Sequence, residues 1–197
     1  MNEITKTEIA VILQIIKHPQ IDYNSNNLAK AIGVTPMGAL KVVKRLERES
    51  ILKAKKFGNT TIYSFNPENI YAKQHVTLII SREAQYVSPL IKRWILELKK
   101  IQSAEMIILF GSVLEKSIPN DIDILCMTNQ KNFSKLQLEV ERINDINIKK
   151  IHPLYQTKDD VISNIKKGDK PILNAINGIV IFGQEKFLEI YHESRKE

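Results

Sequence analysis

The 197-residue sequence predicts an α+β protein of two domains, a mostly helical first domain and an α/β second domain with a small mixed sheet. Charge divides the chain, because residues 1–100 carry 16 Lys and Arg against 8 Asp and Glu, whereas residues 101–197 carry 13 against 14. Helical periodicity dominates the first half, and apolar strands alternate with helices after residue 104. We predict domains over 1–68 and 88–197, joined by a helical connector over 69–87.

Composition narrows the class of protein further. Apolar residues make up 43% and charged residues 26%, so collagen-like and wholly disordered chains are excluded. No apolar run approaches the roughly 20 residues that cross a bilayer, and the first residues lack the pattern of a signal peptide. The single cysteine, Cys126, excludes an intrachain disulfide and a cysteine cluster for zinc, and it ends an apolar strand where packing is its expected role. We therefore expect a cytoplasmic protein.

Helix-capping signals open the first domain. Thr5 stands three residues before Glu8, the spacing of a capping box, and an apolar face follows at Ile9, Ile12, Leu13 and Ile16. Ser25 is predicted to cap a second short helix that ends at Gly33. Thr35, followed by proline, is predicted to cap a third helix that begins directly after this turn. Two helices joined by so short a turn predict a helix-turn-helix.

The third helix combines a buried stripe with a basic one. Apolar residues recur on one side at Ala39, Val42, Val43 and Leu46, and cations recur on another at Lys41, Lys44, Arg45 and Arg48. Two β-prone runs, 51–57 and 60–65, then flank Gly58-Asn59, which is typical of a two-residue hairpin turn. Three helices followed by a basic hairpin describe a winged helix.

Residues 3–67 resemble the winged helix-turn-helix domains of MarR- and ArsR-like transcription regulators. The resemblance implies that the helix over 35–49 enters the major groove of duplex DNA and that the hairpin touches its backbone or minor groove. The predicted DNA-binding residues are Thr35, Met37, Gly38, Lys41, Lys44, Arg45, Arg48, Lys53, Lys55, Lys56 and Asn59. The alternative is a solvated helix face in a domain that mediates only protein contacts.

The connector region predicts two more helices, one from Ile70 to about Arg82 and one from Pro89 to Ile101. Trp94 lies at helical spacing with apolar neighbours, so we expect it in the core. Regulators of the winged-helix kind usually dimerise through helices outside the DNA-reading unit. By that analogy residues 69–102 are the expected place for a homodimer contact.

Two aspartates stand out in the second half. A buried strand is predicted over 106–110, ending in Gly111-Ser112, and a second strand over 121–126 carries Asp121 and Asp123. Side chains at i and i+2 lie on the same face of a strand, so the two carboxylates repel each other. A divalent cation resolves that conflict, and Mg²⁺ typically binds through one or two carboxylates plus substrate phosphates.

These motifs resemble the minimal nucleotidyltransferase domains of the DNA polymerase β superfamily, over about residues 88–190. The resemblance implies that Gly111 and Ser112 bind a nucleoside triphosphate (NTP) and that Asp121 and Asp123 bind Mg²⁺. It also implies a third carboxylate on a later strand, which we predict over 146–151. Asn147 occupies the aligned position, and Asp145, two residues earlier, is the expected substitute. The predicted catalytic set is Asp121, Asp123 and Asp145.

The sequence thus predicts a DNA-binding protein, a transcription regulator whose second domain has the nucleotidyltransferase fold and binds a nucleotide as effector. The alternative is an active Mg²⁺-dependent enzyme that transfers a nucleotidyl group from an NTP to a hydroxyl acceptor. A third interpretation is a domain that only mediates assembly with a partner. The four histidines lack the i, i+4 spacing of metal ligands and are predicted to be surface or core residues: His18, His75, His152 and His192.

Overall fold

A computed structural model describes residues 4–115 and 119–196. The chain divides into two compact units, of which the first ends at Ile79 and the second covers Ile80–Lys196. The division falls inside the predicted connector. No helix in the described ranges is both long enough and apolar enough to cross a membrane.

The first unit has three helices, a hairpin and a further helix. Their bounds are α1 Lys6–Lys17, α2 Ser25–Ile32, α3 Pro36–Arg48, β1 Leu52–Phe57, β2 Thr60–Phe65 and α4 Ile70–Glu83, the last of which continues into the second unit. Strands β1 and β2 are antiparallel, and Tyr23, in the loop after α1, forms an isolated bridge with Tyr63 on β2. This is the winged-helix arrangement that the sequence predicts.

Side-chain caps determine where these helices begin. Thr5 and Glu8 form the predicted capping box of α1, and the Thr35 hydroxyl accepts a hydrogen bond from the Gly38 amide at the start of α3. The predicted cap of α2 is wrong by one residue. Asn24, and not Ser25, is the N-cap, because its side chain accepts hydrogen bonds from the amides of residues 26 and 27.

The second unit is a four-stranded mixed sheet with helices on both faces. Its elements are α5 Pro89–Leu98, β3 Met106–Phe110, a 3-10 turn Gly111–Leu114, β4 Ile122–Met127, α6 Phe133–Ile146, β5 Ile151–Gln156, α7 Lys158–Lys167, α8 Lys170–Ile176, β6 Ile179–Phe182 and α9 Gln184–Ser194. The strand order is β5-β4-β3-β6. Strands β4 and β5 are parallel, whereas β3 is antiparallel to both β4 and β6.

The two faces of β4 have different roles. Ile122, Ile124 and Cys126 join one buried cluster with Trp94 of α5 and Val140 of α6. Burial raises the pKa of the Cys126 thiol to about 12, so the thiol is an inert packing group, as predicted. Since side chains alternate along a strand, Asp123 lies on the opposite face of β4 from this cluster.

The strand predicted over 146–151 is wrong. Helix α6 continues to Ile146, because Leu136, Val140 and Ile143 give it a buried stripe at helical spacing, and β5 begins only at Ile151. Asn147 ends the helix. Its buried amide donates to the carbonyl of Ile143 at 2.9 Å and accepts from Arg93 at 3.2 Å, so it is a structural link between α5 and α6.

Candidate functional site

Helix α3 presents a continuous exposed face. Met37, Lys41, Lys44 and Arg48 follow one another at spacings of four, three and four residues, while Ala39, Val43 and Leu46 are buried on the other side. Met37, in the first turn, is 72% exposed although it is apolar. An exposed methionine followed by three cations offers apolar contact at one end and charge along the rest, which suits base edges and phosphates respectively.

Two members of this face interact locally. The Lys44 ammonium donates to Glu47 at 2.9 Å, which raises the pKa of Lys44, and it lies 5.9 Å from the centre of the Tyr63 ring. The Nε of Arg48 lies 3.4 Å from the carbonyl oxygen of Lys44. These contacts hold both side chains close to the exposed surface of α3.

Arg45 does not belong to the exposed face, so its predicted phosphate contact needs correction. It forms an ion pair with Glu8 of α1, whose side chain is only 4% exposed, and the Arg45 side chain is itself 26% exposed. Successive residues rotate by 100° on a helix, so Arg45 leans to the α1 side of the stripe and Lys44 to the other side. The spacing predicted one basic face, but the arginine at its edge neutralises a buried carboxylate.

The hairpin carries the predicted lysines on its exposed strand. Lys53 pairs with Glu68 at 2.6 Å, and the ammonium of Lys55 lies 4.8 Å from the centre of the Phe57 ring. Lys56 is also exposed. Between this hairpin and the start of α2 there is a shallow cavity of about 230 Å³, lined by polar side chains that include Asn24, Asn26, Lys44, Asn59 and Thr61. The exposed surface from α3 to the hairpin is therefore largely polar and cationic, with Met37 and Phe57 as exposed apolar side chains.

Thr35 and Gly38 have a structural role in addition to the predicted one. The Thr35 hydroxyl accepts from the Gly38 amide at 3.1 Å, and a Cβ on Gly38 would lie 3.0 Å from that hydroxyl oxygen. The pair therefore forms the compact start of α3. This cap leaves Met37 as the prominent side chain of the first turn.

In the second unit, Gly111 brings a turn against Asp123. Phe110 at the end of β3 pairs with Asp123 on β4, and Gly111 follows with a φ of +76°. A Cβ on Gly111 would lie 3.0 Å from the carboxyl carbon of Asp123 and closer still to one of its oxygens. Only glycine meets both demands, the left-handed backbone and the close approach. Ser112 follows in the 3-10 turn, so the structure brings the predicted Gly111, Ser112 and Asp123 together.

Three potential metal ligands converge beside this turn. Asp121, Asp123 and His152 each offer one ligand atom, and these atoms lie within 4.8 Å of one another. The Nδ1 of His152 is 3.2 Å from a carboxylate oxygen of Asp121. Burial raises the pKa of Asp123, and the negative charge of Asp121 raises it further, while His152 opposes that shift. The two carboxylates thus repel each other, as the sequence predicts.

The third ligand differs from the predicted one. His152 is paired with Asp123 across the parallel strands β4 and β5, whereas Asp145 lies exposed in the last turn of α6. In residues 4–115 and 119–196, the group of Asp121, Asp123 and His152 is the one potential metal cluster of this kind, and Asp145 is not in it. His152 was predicted to be a surface or core residue because the histidines lack i, i+4 spacing, and the strand predicted five residues too early ended before it. Had β5 been placed at Ile151, pairing with β4 would have indicated His152.

The first unit is therefore a winged helix with a cationic face on its third helix, and the second is an α/β unit with an acidic site beside a glycine turn. No protein-family model matches the chain, and no curated protein matches it. Solved structures resemble its N-terminal half at low similarity. One is ZitR of Lactococcus lactis, with 17% identity and a TM-score of 0.32, covering 43% of this chain and 58% of that one.

Two further solved structures are transcription regulators. MepR, the regulator of the Staphylococcus aureus multidrug efflux pump MepA, has 17% identity and a TM-score of 0.36, covering 50% of this chain and 77% of MepR. PcaV of Streptomyces coelicolor has 16% identity and a TM-score of 0.35, covering 48% of this chain and 71% of PcaV. Likenesses at this level do not assign the chain to a family. The function of either unit therefore has to be argued from its own side chains.

Proposed function

We propose that this protein is a DNA-binding transcription regulator whose winged-helix unit reads duplex DNA through α3 and the hairpin. The observation that carries the proposal is the exposed face of Met37, Lys41, Lys44 and Arg48 on a helix whose opposite side is fully buried. Lys55 and Lys56 extend the positive charge onto the hairpin. A helix in the major groove and a hairpin on the backbone account for both surfaces.

The test measures binding to a mixed-sequence duplex by fluorescence anisotropy at several salt concentrations. Each neutralised phosphate contributes about 0.9 to the slope of log affinity against log salt, so Lys41→Glu plus Arg48→Glu should reduce that slope by about 2. Lys135→Glu, which reverses an exposed charge on α6, is the matched control. It should bind DNA with the same salt slope as the wild type. A flat salt response of the wild type, or unchanged affinity in the double variant, would reject DNA binding through this face.

We further propose that the second unit binds a nucleotide with a divalent cation beside the Gly111 turn. Two carboxylates that repel each other, Asp121 and Asp123, fit a divalent cation, and Mg²⁺ with an NTP is the first candidate. When bound, such a cation supplies positive charge against the phosphates. Asp121 and Asp123 would hold the cation, and the backbone amides of the turn at Gly111 and Ser112, next to Asp123, would face the phosphates.

Calorimetry with each NTP in the presence of Mg²⁺ tests this second proposal. Binding heat that disappears in Asp123→Ala supports a nucleotide site, and the absence of heat with every nucleotide rejects it. Asp145→Ala is a suitable control because its side chain is exposed on α6. We expect this control to bind as the wild type does.

Nucleotidyl transfer remains the alternative function of the same site, favoured by the packing of Gly111 against Asp123. In that reaction an acceptor hydroxyl attacks the α-phosphorus of the NTP and pyrophosphate leaves. The described residues bring no third carboxylate to the site, so we expect binding without transfer. Label that moves from an NTP to a macromolecule, and that is lost in Asp123→Ala, would establish the enzyme instead.

We also propose that the protein forms a homodimer through residues 69–102. Helix α4 exposes three large apolar side chains, Ile70, Tyr71 and Leu78. A second copy would cover them, and paired winged helices would read two half-sites of DNA. Light scattering should give twice the chain mass for the wild type and the single mass for Leu78→Glu, whereas a wild-type monomer at all concentrations would reject the dimer.

A further inference from the structure

The third member of the acidic site is a nitrogen donor. His152 stands at the second residue of β5, directly paired with Asp123 of β4, and its imidazole reaches Asp121 at 3.2 Å. Two neighbouring strands thus deliver two carboxylate oxygens and one imidazole nitrogen to the same edge of the sheet. All three ligand atoms lie within 4.8 Å of one another.

This donor set differs from the one that suits Mg²⁺. Mg²⁺ is a hard cation that takes oxygen ligands in near-ideal octahedral geometry. Imidazole nitrogen instead suits zinc, copper, iron and nickel, and Zn²⁺ is commonly bound by histidine together with Asp or Glu. A site of two carboxylates and one imidazole therefore discriminates against Mg²⁺ and in favour of first-row transition metals.

We propose that Asp121, Asp123 and His152 bind a first-row transition-metal cation, with Zn²⁺ as its representative, in preference to Mg²⁺. This inference rests on the proposal that the second unit holds a divalent cation, and it identifies that cation. Three protein ligands leave at least one coordination position open in a tetrahedral site. A phosphate oxygen or a water molecule would take that position.

The dimensions of the site agree with this assignment. Ligand atoms about 2.1 Å from a tetrahedral zinc ion lie about 3.4 Å from one another. The distance between His152 and Asp121 is already close to this value, and the remaining pairs need to approach by about 1.4 Å at most. The His152 side chain is 60% exposed, so it turns without disturbing the core, whereas Gly111 holds Asp123 in place.

The experiment uses the full chain without a histidine tag, freed of metal by a chelator and then titrated with Zn²⁺, Co²⁺ or Mg²⁺ alone. We expect Zn²⁺ to bind with a 1:1 stoichiometry and at least about 100-fold more tightly than Mg²⁺. His152→Ala should weaken Zn²⁺ binding by at least about 100-fold, because even partners outside the ligand shell contribute up to that factor. Bound Co²⁺ should give a visible absorption band in the wild type and lose it in His152→Ala.

Two further variants make the result specific. His18→Ala removes a histidine of the first unit and should bind Zn²⁺ as the wild type does. His152→Asp gives the site three carboxylates, so the preference for Zn²⁺ over Mg²⁺ should fall at least about tenfold. Circular dichroism checks that both His152 variants remain folded.

The possible results distinguish the transition-metal assignment from the proposal that the second unit binds a nucleotide with a divalent cation. If Mg²⁺ binds as tightly as Zn²⁺, or if Zn²⁺ binding survives in His152→Ala, the transition-metal assignment is wrong. A nucleotide site that depends on Asp123 and Mg²⁺ would then still stand. If the wild type binds none of the three cations, with or without an NTP, both proposals are rejected.

Discussion

Arg45 and Glu8 form an ion pair between α3 and α1 in the first unit. Glu8 also accepts a hydrogen bond from the amide of Thr5, so one buried carboxylate serves both the cap of α1 and the packing of α3. Removing one partner of a buried pair leaves an uncompensated charge, which is far more costly than the net gain from the intact pair. Arg45 therefore stabilises the packing of α3 against α1, whereas Arg48, one turn later, lies on the exposed surface.

Replacement of Arg45 should lower the stability of the fold, whereas replacement of Arg48, on the proposed DNA-binding face, should leave stability almost unchanged. Arg45→Ala should lower the free energy of unfolding by about 3 kcal/mol, because Glu8 remains buried without its partner. Arg48→Ala should change it by less than about 0.5 kcal/mol, as is usual for a surface residue. Urea denaturation followed by circular dichroism measures both. Equal losses in the two variants would contradict a stabilising role of the pair between Arg45 and Glu8.

We expect the stability of the first unit to depend on pH through two partly buried histidines. Burial is the largest cause that lowers the pKa of His75 on α4 and of His18 after α1. The unfolded chain therefore binds protons more readily than the folded one, so stability is complete above the ordinary histidine pKa of 6.5 and declines as the pH falls below it. The effect should be visible between about pH 6.5 and pH 5, before most carboxylates titrate.

Substitution of these histidines tests that sign. We expect His75→Gln and His18→Gln each to flatten the decline in unfolding free energy over this window, and the double variant to flatten it most. His192→Gln, in the second unit, is the control. A slope that is unchanged in the double variant would show that other groups cause the decline.

At the scale of elements, the 3-10 turn Gly111–Leu114, which follows β3, is tightly constrained at its first residue. Gly111 adopts a positive φ and lies against the carboxyl group of Asp123, so the turn and the acidic site depend on each other. The left-handed conformation costs a residue with a Cβ roughly 1–2 kcal/mol, and the overlap with Asp123 adds to this.

Gly111→Ala should therefore destabilise the second unit by at least about 1 kcal/mol and displace Asp123. Cation binding should weaken in parallel, since Asp123 is a proposed ligand. Gly168→Ala is the matched control, because Gly168 also has a positive φ, at the end of α7, but no atom stands within 4 Å of its Cβ position. If both variants lose stability equally and both still bind the cation, the close packing of Gly111 against Asp123 is not needed for cation binding.

The capping elements were the part of the fold most accessible to sequence reasoning. Thr5 with Glu8 and Thr35 with a following proline act within one helical turn, so their spacing alone identifies them. The hairpin turn at Gly58 was predicted in the same way, because its sequence signal also lies within a few neighbouring residues. The strand after α6 was predicted five residues too early because residues 146–151 are β-prone, whereas α6, with its buried stripe of Leu136, Val140 and Ile143, continues to Ile146.

At the scale of the whole molecule, the chain has two units whose cores are formed separately. The first core is built from helices and a hairpin, and the second from a sheet between helices. Multidomain chains commonly depart from a single all-or-none transition. Substitutions in one unit should therefore destabilise that unit before they affect the other.

Hydrogen exchange monitored by mass spectrometry tests this separation. Arg45→Ala should raise exchange in α1 and α3 while leaving β3 and β4 protected, and Gly111→Ala should do the reverse. Zn²⁺ should increase protection of β4 and β5 but not of α1, because a ligand stabilises only the state that binds it. Uniform changes along the chain in either variant would indicate one cooperative unit.

The sequence by itself determined the two-part organisation, the winged helix, the basic stripe and the pair of aspartates. Each of these depends on charge, on periodicity or on neighbours a few residues apart. Only the tertiary structure decided that Arg45 pairs with the buried Glu8 and that His152 lies beside Asp121 and Asp123. Glu8 lies 37 residues before Arg45, and His152 lies 29 residues after Asp123. Contacts over such separations arise from the packing of α1 on α3 and the pairing of β4 with β5, which no local pattern encodes.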